Sequence, residues 1–367
     1  MGVDMEDAKR RYVGIDLAKR TMEVCFLRED GKSTRWSAKT DVEGRKRLVK
    51  QLHREDVVGV EACVFAFSLQ RQLLKVVGCE VIVLNPGKLA IIHQSTNKTD
   101  RLDAYRIGLM ISRFDRSELP EVTVPTEREE MMRTYVSAKQ FFTDSRTRLI
   151  NRLHALYVQA GITDVESREL KTHEERIRRG EDLEGFFKIT AEALCREIDT
   201  TETNIGELEQ ELSAIVAKDE LAPYLLSVPG VGPNVVTAFL AFIGNGDRFA
   251  NAAQVANYAG LVPRVDCSGE TERRGGITKS GNPILRRLML QAAWSLTRSR
   301  DGGRLKVKYA YFLERKGKMR SVVALARKIL ELLWILAQRR TYYADCSEAR
   351  LAAKLKRYGI VKKERAA

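Results

Sequence analysis

The sequence predicts an α/β domain, then an α-helical coiled-coil region, then a mainly α-helical domain, with boundaries at 1–122, 123–220 and 221–367. Three observations carry this division. Short strand-like segments crowd the chain before Leu84, apolar positions recur in a 4-3 alternation from Phe187, and a glycine-rich turn near Pro229 joins apolar segments.

The first strand is Tyr12-Val13-Gly14-Ile15-Asp16-Leu17-Ala18, an apolar run interrupted by Asp16. A buried charge costs several kcal/mol unless it is compensated, and a metal ion is one way to compensate a carboxylate. Thr21 to Arg28 and Lys32 to Ala38 alternate polar and apolar residues about Glu29-Asp30-Gly31, which reads as a hairpin and makes the first strand part of an antiparallel meander. After the amphipathic stretch from Asp41 to His53, a short strand Val57-Val58-Gly59-Val60 ends in Glu61. Cys79 to Leu84 is a further strand. Asn97-Lys98-Thr99-Asp100-Arg101-Leu102-Asp103 then opens a helix running to about Phe114.

Asp100 and Asp103 are i and i+3 neighbours, so their Cβ atoms lie roughly 5 to 6 Å apart on one helix face. With Asp16 and Glu61 they could hold two divalent ions about 3.5 to 4 Å apart. Oxygen ligands, and the absence of a His or Cys cluster, favour magnesium or manganese over zinc. Each acid has an ordinary reading too: Asp16 as an edge residue, Glu61 as a solvated strand end, Asp100 as the third residue of a helix capped by Asn97. Their order, an Asp in the first strand of a meander, a Glu ending a later strand and D-x-x-D on a helix, resembles the ribonuclease H-like fold in its RuvC-type form. The actin-like ATPase fold also begins with a G-I-D strand, but it would need a second glycine-rich phosphate loop, which the sequence lacks.

The 367 residues carry a net charge of +14, unevenly placed. From Leu261 onward there are 26 Lys or Arg against 9 Asp or Glu, whereas 37 against 40 precede it. A cationic domain behind a metal-binding one points to nucleic acid, because phosphate neutralisation supplies most non-specific affinity. No signal peptide is expected, and the longest apolar stretch, Leu330 to Ala337, is too short for a bilayer and contains Glu331. A cytoplasmic protein with six reduced cysteines is expected, and no membrane partner.

Thr126 to Ala160 reads as one helix. From Phe187 the core positions are Phe187, Ala191, Leu194, Ile198, Thr201, Ile205, Leu208, Leu212 and Ile215, a coiled-coil spacing. In a parallel homodimer Glu197 would face the partner's Glu202, so like charges disfavour that pairing. The earlier helix offers Arg133, Lys139, Arg146, Arg148 and Arg152, which predicts antiparallel pairing of the two helices, within one chain or between two.

Leu226-Ser227-Val228-Pro229-Gly230-Val231-Gly232-Pro233 leads into an apolar helix from Val235 to Ile243, the pattern of a helix-hairpin-helix. Gly230 and Gly232 would let backbone amides approach a phosphate. A plain helix-helix turn is the alternative.

Two segments follow: Ala259-Gly260-Leu261-Val262-Pro263-Arg264-Val265-Asp266-Cys267-Ser268-Gly269-Glu270, then Arg273-Arg274-Gly275-Gly276-Ile277-Thr278-Lys279-Ser280-Gly281-Asn282. With the acids and the coil, they resemble the DEDD transposases of bacterial insertion sequences, the group now called bridge recombinases, over nearly the whole chain. The resemblance implies that the four acids are Asp16, Glu61, Asp100 and Asp103, binding magnesium or manganese, and that the nucleophile is Ser268. Family members often have Ser-Ser-Gly where this chain has Cys267-Ser268-Gly269. Without the resemblance, Ser268 would read as a turn serine beside glycine.

Two ions held by carboxylates can stabilise the attacking and leaving oxygens of a phosphodiester displacement, but attack by water would only cut. A serine nucleophile conserves the bond as a phosphoserine link, so that a strand can be rejoined to a new partner. Arg264, Arg273, Arg274 and Lys279 are candidates for holding nucleic-acid phosphates, from charge and position alone. The resemblance further implies donor and target DNA as partners, a structured guide RNA encoded by the element, and a homo-oligomer, dimer or tetramer, whose composite sites join the acids of one protomer to the serine of another. The rivals are a junction-resolvase-like endonuclease, which needs the acids without Ser268, and a non-catalytic binding protein.

Overall fold

The computed structural model describes residues 10–92, 100–268, 271–300 and 302–361. The expected N-cap Asn97 lies outside them. The side chains of Asp100, Ser268, Arg273 and Arg274 are likewise outside the description, although their backbones are placed. The chain divides into two compact units, residues 1–126 and 127–367.

The first unit is α/β. Its elements are β1 (Tyr12–Leu17), β2 (Thr21–Leu27), β3 (Ser33–Lys39), α1 (Val42–Gln51), β4 (Val57–Glu61), α2 (Ala66–Val76), β5 (Glu80–Leu84), α3 (Pro86–Ile92) and α4 (Asp100–Arg113). The sheet order is β3-β2-β1-β4-β5. The meander β1-β2-β3 is antiparallel as expected, and β4 and β5 add in parallel on the other side of β1.

Strand alternation divides the sheet's two faces. Val13, Ile15, Met22, Val24 and Phe26 pack with Leu48 and Leu52 near α1 and with Leu69 and Leu73 of α2. On the opposite face Ile107, Met110 and Ile111 of α4 join Val57, Ile82 and Leu84. Asp16 therefore does not interrupt the Val13/Ile15 core. It lies on the alternate register, half-buried at the strand end.

Another acid in this unit has a complete structural explanation. Asp56 is 2% exposed and takes hydrogen bonds from Arg11 Nε at 2.8 Å, Arg11 Nη2 at 2.7 Å and the His53 amide at 2.8 Å. Asp41 caps α1 by accepting from the Gly44 amide.

The second unit is helical apart from one hairpin. It comprises α5 (Glu127–Gln159), a 3-10 turn (Glu169–Lys171), α6 (His173–Gly180), α7 (Gly185–Ala217), α8 (Ala222–Leu226), α9 (Pro233–Phe242), α10 (Ala252–Tyr258), β6 (Pro263–Ser268), β7 (Thr271–Ile277), α11 (Pro283–Arg298), α12 (Gly303–Lys316), α13 (Lys318–Arg339) and α14 (Glu348–Arg357). The hairpin was not legible in a segment dominated by small and basic residues.

The long helices α5 and α7 pair antiparallel within one chain. Lys139 meets Glu209 at 3.0 Å and Arg146 meets Glu202 at 3.8 Å, so seven residues down one helix match seven up the other. Ala191, Ile198, Thr201, Ile205 and Leu212 of the expected core positions are buried. Arg176 of α6 is fully buried and bridges Asp199 at 2.5 Å and Glu202 at 2.9 Å, which ties α6 to α7. Burial opposes ionisation of Asp199, but hydrogen bonds from Arg176 and His173 outweigh it and hold the carboxyl below its usual range. Among the described residues no helix is long and apolar enough to cross a membrane.

Candidate active site

Close packing of α4 on the sheet decides where the acids lie. A Cβ built on Gly14 would fall 1.9 Å from the Ala104 carbonyl oxygen and 2.4 Å from the Gly108 amide nitrogen. One on Gly59 would fall 2.8 Å from Ile107 Cγ2. Only glycine lets a helix approach β1 and β4 this closely, and Gly14 and Gly59 therefore face α4. Asp16 and Glu61 stand two residues beyond them, hence on the same face.

Strand register makes these two acids neighbours. β1 and β4 are parallel with Ile15 beside Val60, and the next residues along are Asp16 and Glu61. α4 runs opposite to β1, because Gly108 lies near the Tyr12 carbonyl and Ala104 over Gly14. One helical turn back from Ala104 is about 6 Å, and two strand residues on from Gly14 is about 6.6 Å. The backbone of Asp100 is thus level with Asp16.

Asp103 is one-third exposed, with Arg106 Nη1 at 3.3 Å from its Oδ1. The four candidate acids consequently sit at one edge of the unit, on two strand ends and the first turn of a helix. Hard carboxylate oxygens of this kind suit a divalent ion. Among the described residues, which exclude the Asp100 side chain, no group of three or more His, Cys, Asp or Glu is arranged to hold a metal ion.

A fifth carboxylate escaped sequence reasoning. Glu23 pairs directly with Asp16 across β1 and β2, and accepts a 2.7 Å hydrogen bond from Ser37 Oγ on β3. The short link from Ala18 to Arg20 was the available signal, since it fixes which residue faces Asp16. The neighbouring row holds Cys25, whose thiol is pushed up by burial, only partly countered by Arg35. Replacing Gly14 with Ala should destabilise the first unit by about 2 kcal/mol or more, because the new methyl meets helix backbone rather than a movable side chain. Denaturant unfolding reads this directly, and a stability equal to that of the parent would contradict the packing.

In the second unit, Ser268 ends β6, with its backbone paired to Thr271 at the start of β7. A clasp holds the base of this hairpin. A Cβ on Gly281 would fall 2.1 Å from the Tyr258 carbonyl oxygen, and one on Gly260 would fall 2.7 Å from that of Ser280. The Thr278 amide donates to the Val262 carbonyl, Asn282 caps α11 through the Leu285 amide, and Arg286 donates to the Ala259 carbonyl at 3.0 Å. The A-G-L-V-P and T-K-S-G-N segments are thereby two halves of one structural element. Lys279 is exposed within it at φ 54°, a left-handed conformation uncommon outside glycine. Arg264 is also exposed, near the start of β6.

Gly230 stands at φ 82° between α8 and α9, and a Cβ there would fall 2.5 Å from the Ala292 carbonyl oxygen of α11. Packing alone thus requires this glycine. Gly232, by contrast, has open space at its Cβ position and precedes Pro233 at the start of α9.

The chain is similar to known proteins along most of its length. Residues 13–161 match a DEDD-type IS110 model described as a transposase, and residues 222–310 match the model described as transposase IS116/IS110/IS902 family. The transposase for insertion sequence element IS1111A of Coxiella burnetii is 29% identical over 346 residues, covering 92% of both chains. A putative transposase, y4rJ, of Sinorhizobium fredii is 30% identical over 308 residues, covering 76% of each chain. The transposase for insertion sequence element IS1328 of Yersinia enterocolitica is 25% identical, covering 78% of this chain and 85% of that one.

Proposed function

This chain belongs to the IS116/IS110/IS902 family of insertion-sequence transposases, and from that premise we propose that it cuts and rejoins DNA strands by metal-dependent transesterification on a serine. The observation that carries the reading is the gathering of Asp16, Glu61 and the first turn of α4 at one sheet edge. The strand order β3-β2-β1-β4-β5 supports a RuvC-like ribonuclease H fold for the first unit.

In this reading Asp16, Glu61, Asp100 and Asp103 hold magnesium or manganese. When bound, the ions stabilise charge on the attacking and leaving oxygens of the phosphodiester. Ser268 Oγ forms the new bond to phosphorus, the bond to the leaving strand breaks, and the serine proton ends on the departing oxygen. One phosphodiester replaces another, so a hydroxyl of a second strand can reverse the step without ATP. Arg264, Arg273 and Arg274 of the hairpin strands and Lys279 of the clasp would hold the DNA phosphates. The turn from Ser227 to Gly232 would serve as a helix-hairpin-helix, with Gly232 the glycine free to approach a backbone. A structured RNA from the element would select donor and target, and a dimer or tetramer would supply acids and serine from different protomers.

Purified full-length protein, mixed with transcripts of the element's flanks and with donor and target duplexes, should yield joined strands only when a divalent cation is present. Sequencing RNA that copurifies should recover a flank transcript. Nicked but never rejoined DNA would overturn the recombinase reading in favour of a resolvase-like endonuclease.

A further inference from the structure

Helix α11 buries Leu285, Leu288, Met289, Ala292, Ala293 and Leu296, so its remaining face should be polar. That face carries Gln291, Trp294, Ser295 and Arg298 at helical spacing, and these four residues with Lys318 of α13 line an open groove of about 610 Å³. Trp294 is only half-buried, and Lys318 Nζ lies 5.6 Å from its ring centroid. Arg298 and Lys318 are exposed, and among the described residues neither forms an ion pair with a carboxylate. The surrounding segment from Gly303 to Arg320 holds seven Lys or Arg and a single acid, Glu314. No acid occupies the first turn of α13.

We propose that this groove binds an unpaired nucleotide, stacking its base on Trp294 and holding its phosphate with Arg298 and Lys318. The inference rests on the transposase reading for the presence of nucleic acid, but assigns a site that reading does not need. A flat indole beside two cations matches the two parts of a nucleotide, the aromatic base and the anionic phosphate. Base-paired DNA cannot offer a base face to it, so the groove discriminates single-stranded from duplex nucleic acid. In the free protein the Lys318 ammonium covers the indole; on binding, the base takes that face and the ammonium moves to the phosphate.

The test uses full-length protein with labelled single-stranded DNA, single-stranded RNA and duplex of one sequence, read by anisotropy and by tryptophan emission. Loss of a stacked base weakens binding roughly 5- to 150-fold. Trp294→Leu should therefore lose about tenfold or more on single strands and little on duplex. Trp294→Phe should stay within about threefold of the parent while losing the emission change. Arg298→Ala with Lys318→Ala, both at exposed positions, should weaken single-strand binding and flatten its salt dependence. Tighter binding of RNA or of DNA identifies the natural source, and either supports the site. Equal losses on duplex and single strand, or unchanged single-strand binding by Trp294→Leu, would overturn it. If strand joining fails but Trp294-dependent binding persists, the groove stands and the transposase mechanism falls. If joining occurs with Trp294→Leu binding like the parent, the reverse holds.

Discussion

Replacing Ser268 with Ala should abolish joined products, by at least about a thousandfold, while leaving DNA binding and folding unchanged. The size of the loss follows from the role. Removing a nucleophile eliminates the covalent link that conserves the phosphodiester, and no partial function remains for a methyl group. Water can still reach a phosphate, so a low level of nicking is compatible with the mechanism; rejoining is not. Ser268 ends β6, and the clasp through Gly260, Gly281 and Asn282 holds the base of the hairpin. Cys267→Ala is the control, expected to retain strand exchange. Sequencing the reaction products separates joining from cutting, and persistent joining by the Ser268 variant would remove the serine from the mechanism.

Asp16 and Glu61 are legible as candidates because they are charges in otherwise apolar strands, whereas Ser268 becomes a candidate only through the family resemblance. Asp16 stands out in Tyr12–Leu17 because it is the only charge there, and Glu61 because it ends a wholly apolar strand. The α5 and α7 pairing was equally legible, since heptad spacing and opposite charges belong to the helices themselves. What stayed hidden depends on contacts between distant segments. Gly14 reads as an ordinary strand glycine until Ala104 is placed against it. Gly230 reads as a phosphate-loop glycine until the α11 backbone is found beside it. Glu23 alternates like any polar residue on a half-buried strand, and only the hairpin register puts it opposite Asp16. Trp294 is one apolar residue among many in the α11 sequence, and the face it occupies is known only once the core is.

Asp16→Asn should likewise abolish strand cleavage, by about a hundredfold or more, yet leave the protein folded. The two effects together distinguish a functional acid from a structural one. Asp16 stands beside Glu61 and Glu23 at the strand ends, where a carboxylate oxygen is a ligand for a divalent ion and an amide is a poor one. Asp16→Asn removes that ligand. Asp56 supplies the opposite case on the same sheet, because its carboxylate is buried and fully engaged by Arg11 and the His53 amide. Asp56→Asn should lower the melting temperature, since it leaves the Arg11 guanidinium with a weakened partner. Calorimetric titration with magnesium or manganese should show binding lost in Asp16→Asn and in Asp100→Asn, and retained in Asp56→Asn wherever that variant is folded. Magnesium-supported cleavage surviving in Asp16→Asn would sink the metal assignment, even with the fold intact. A drop in metal-free stability like that of Asp56→Asn would instead make Asp16 a structural acid, and its place at the end of β1 would need another explanation.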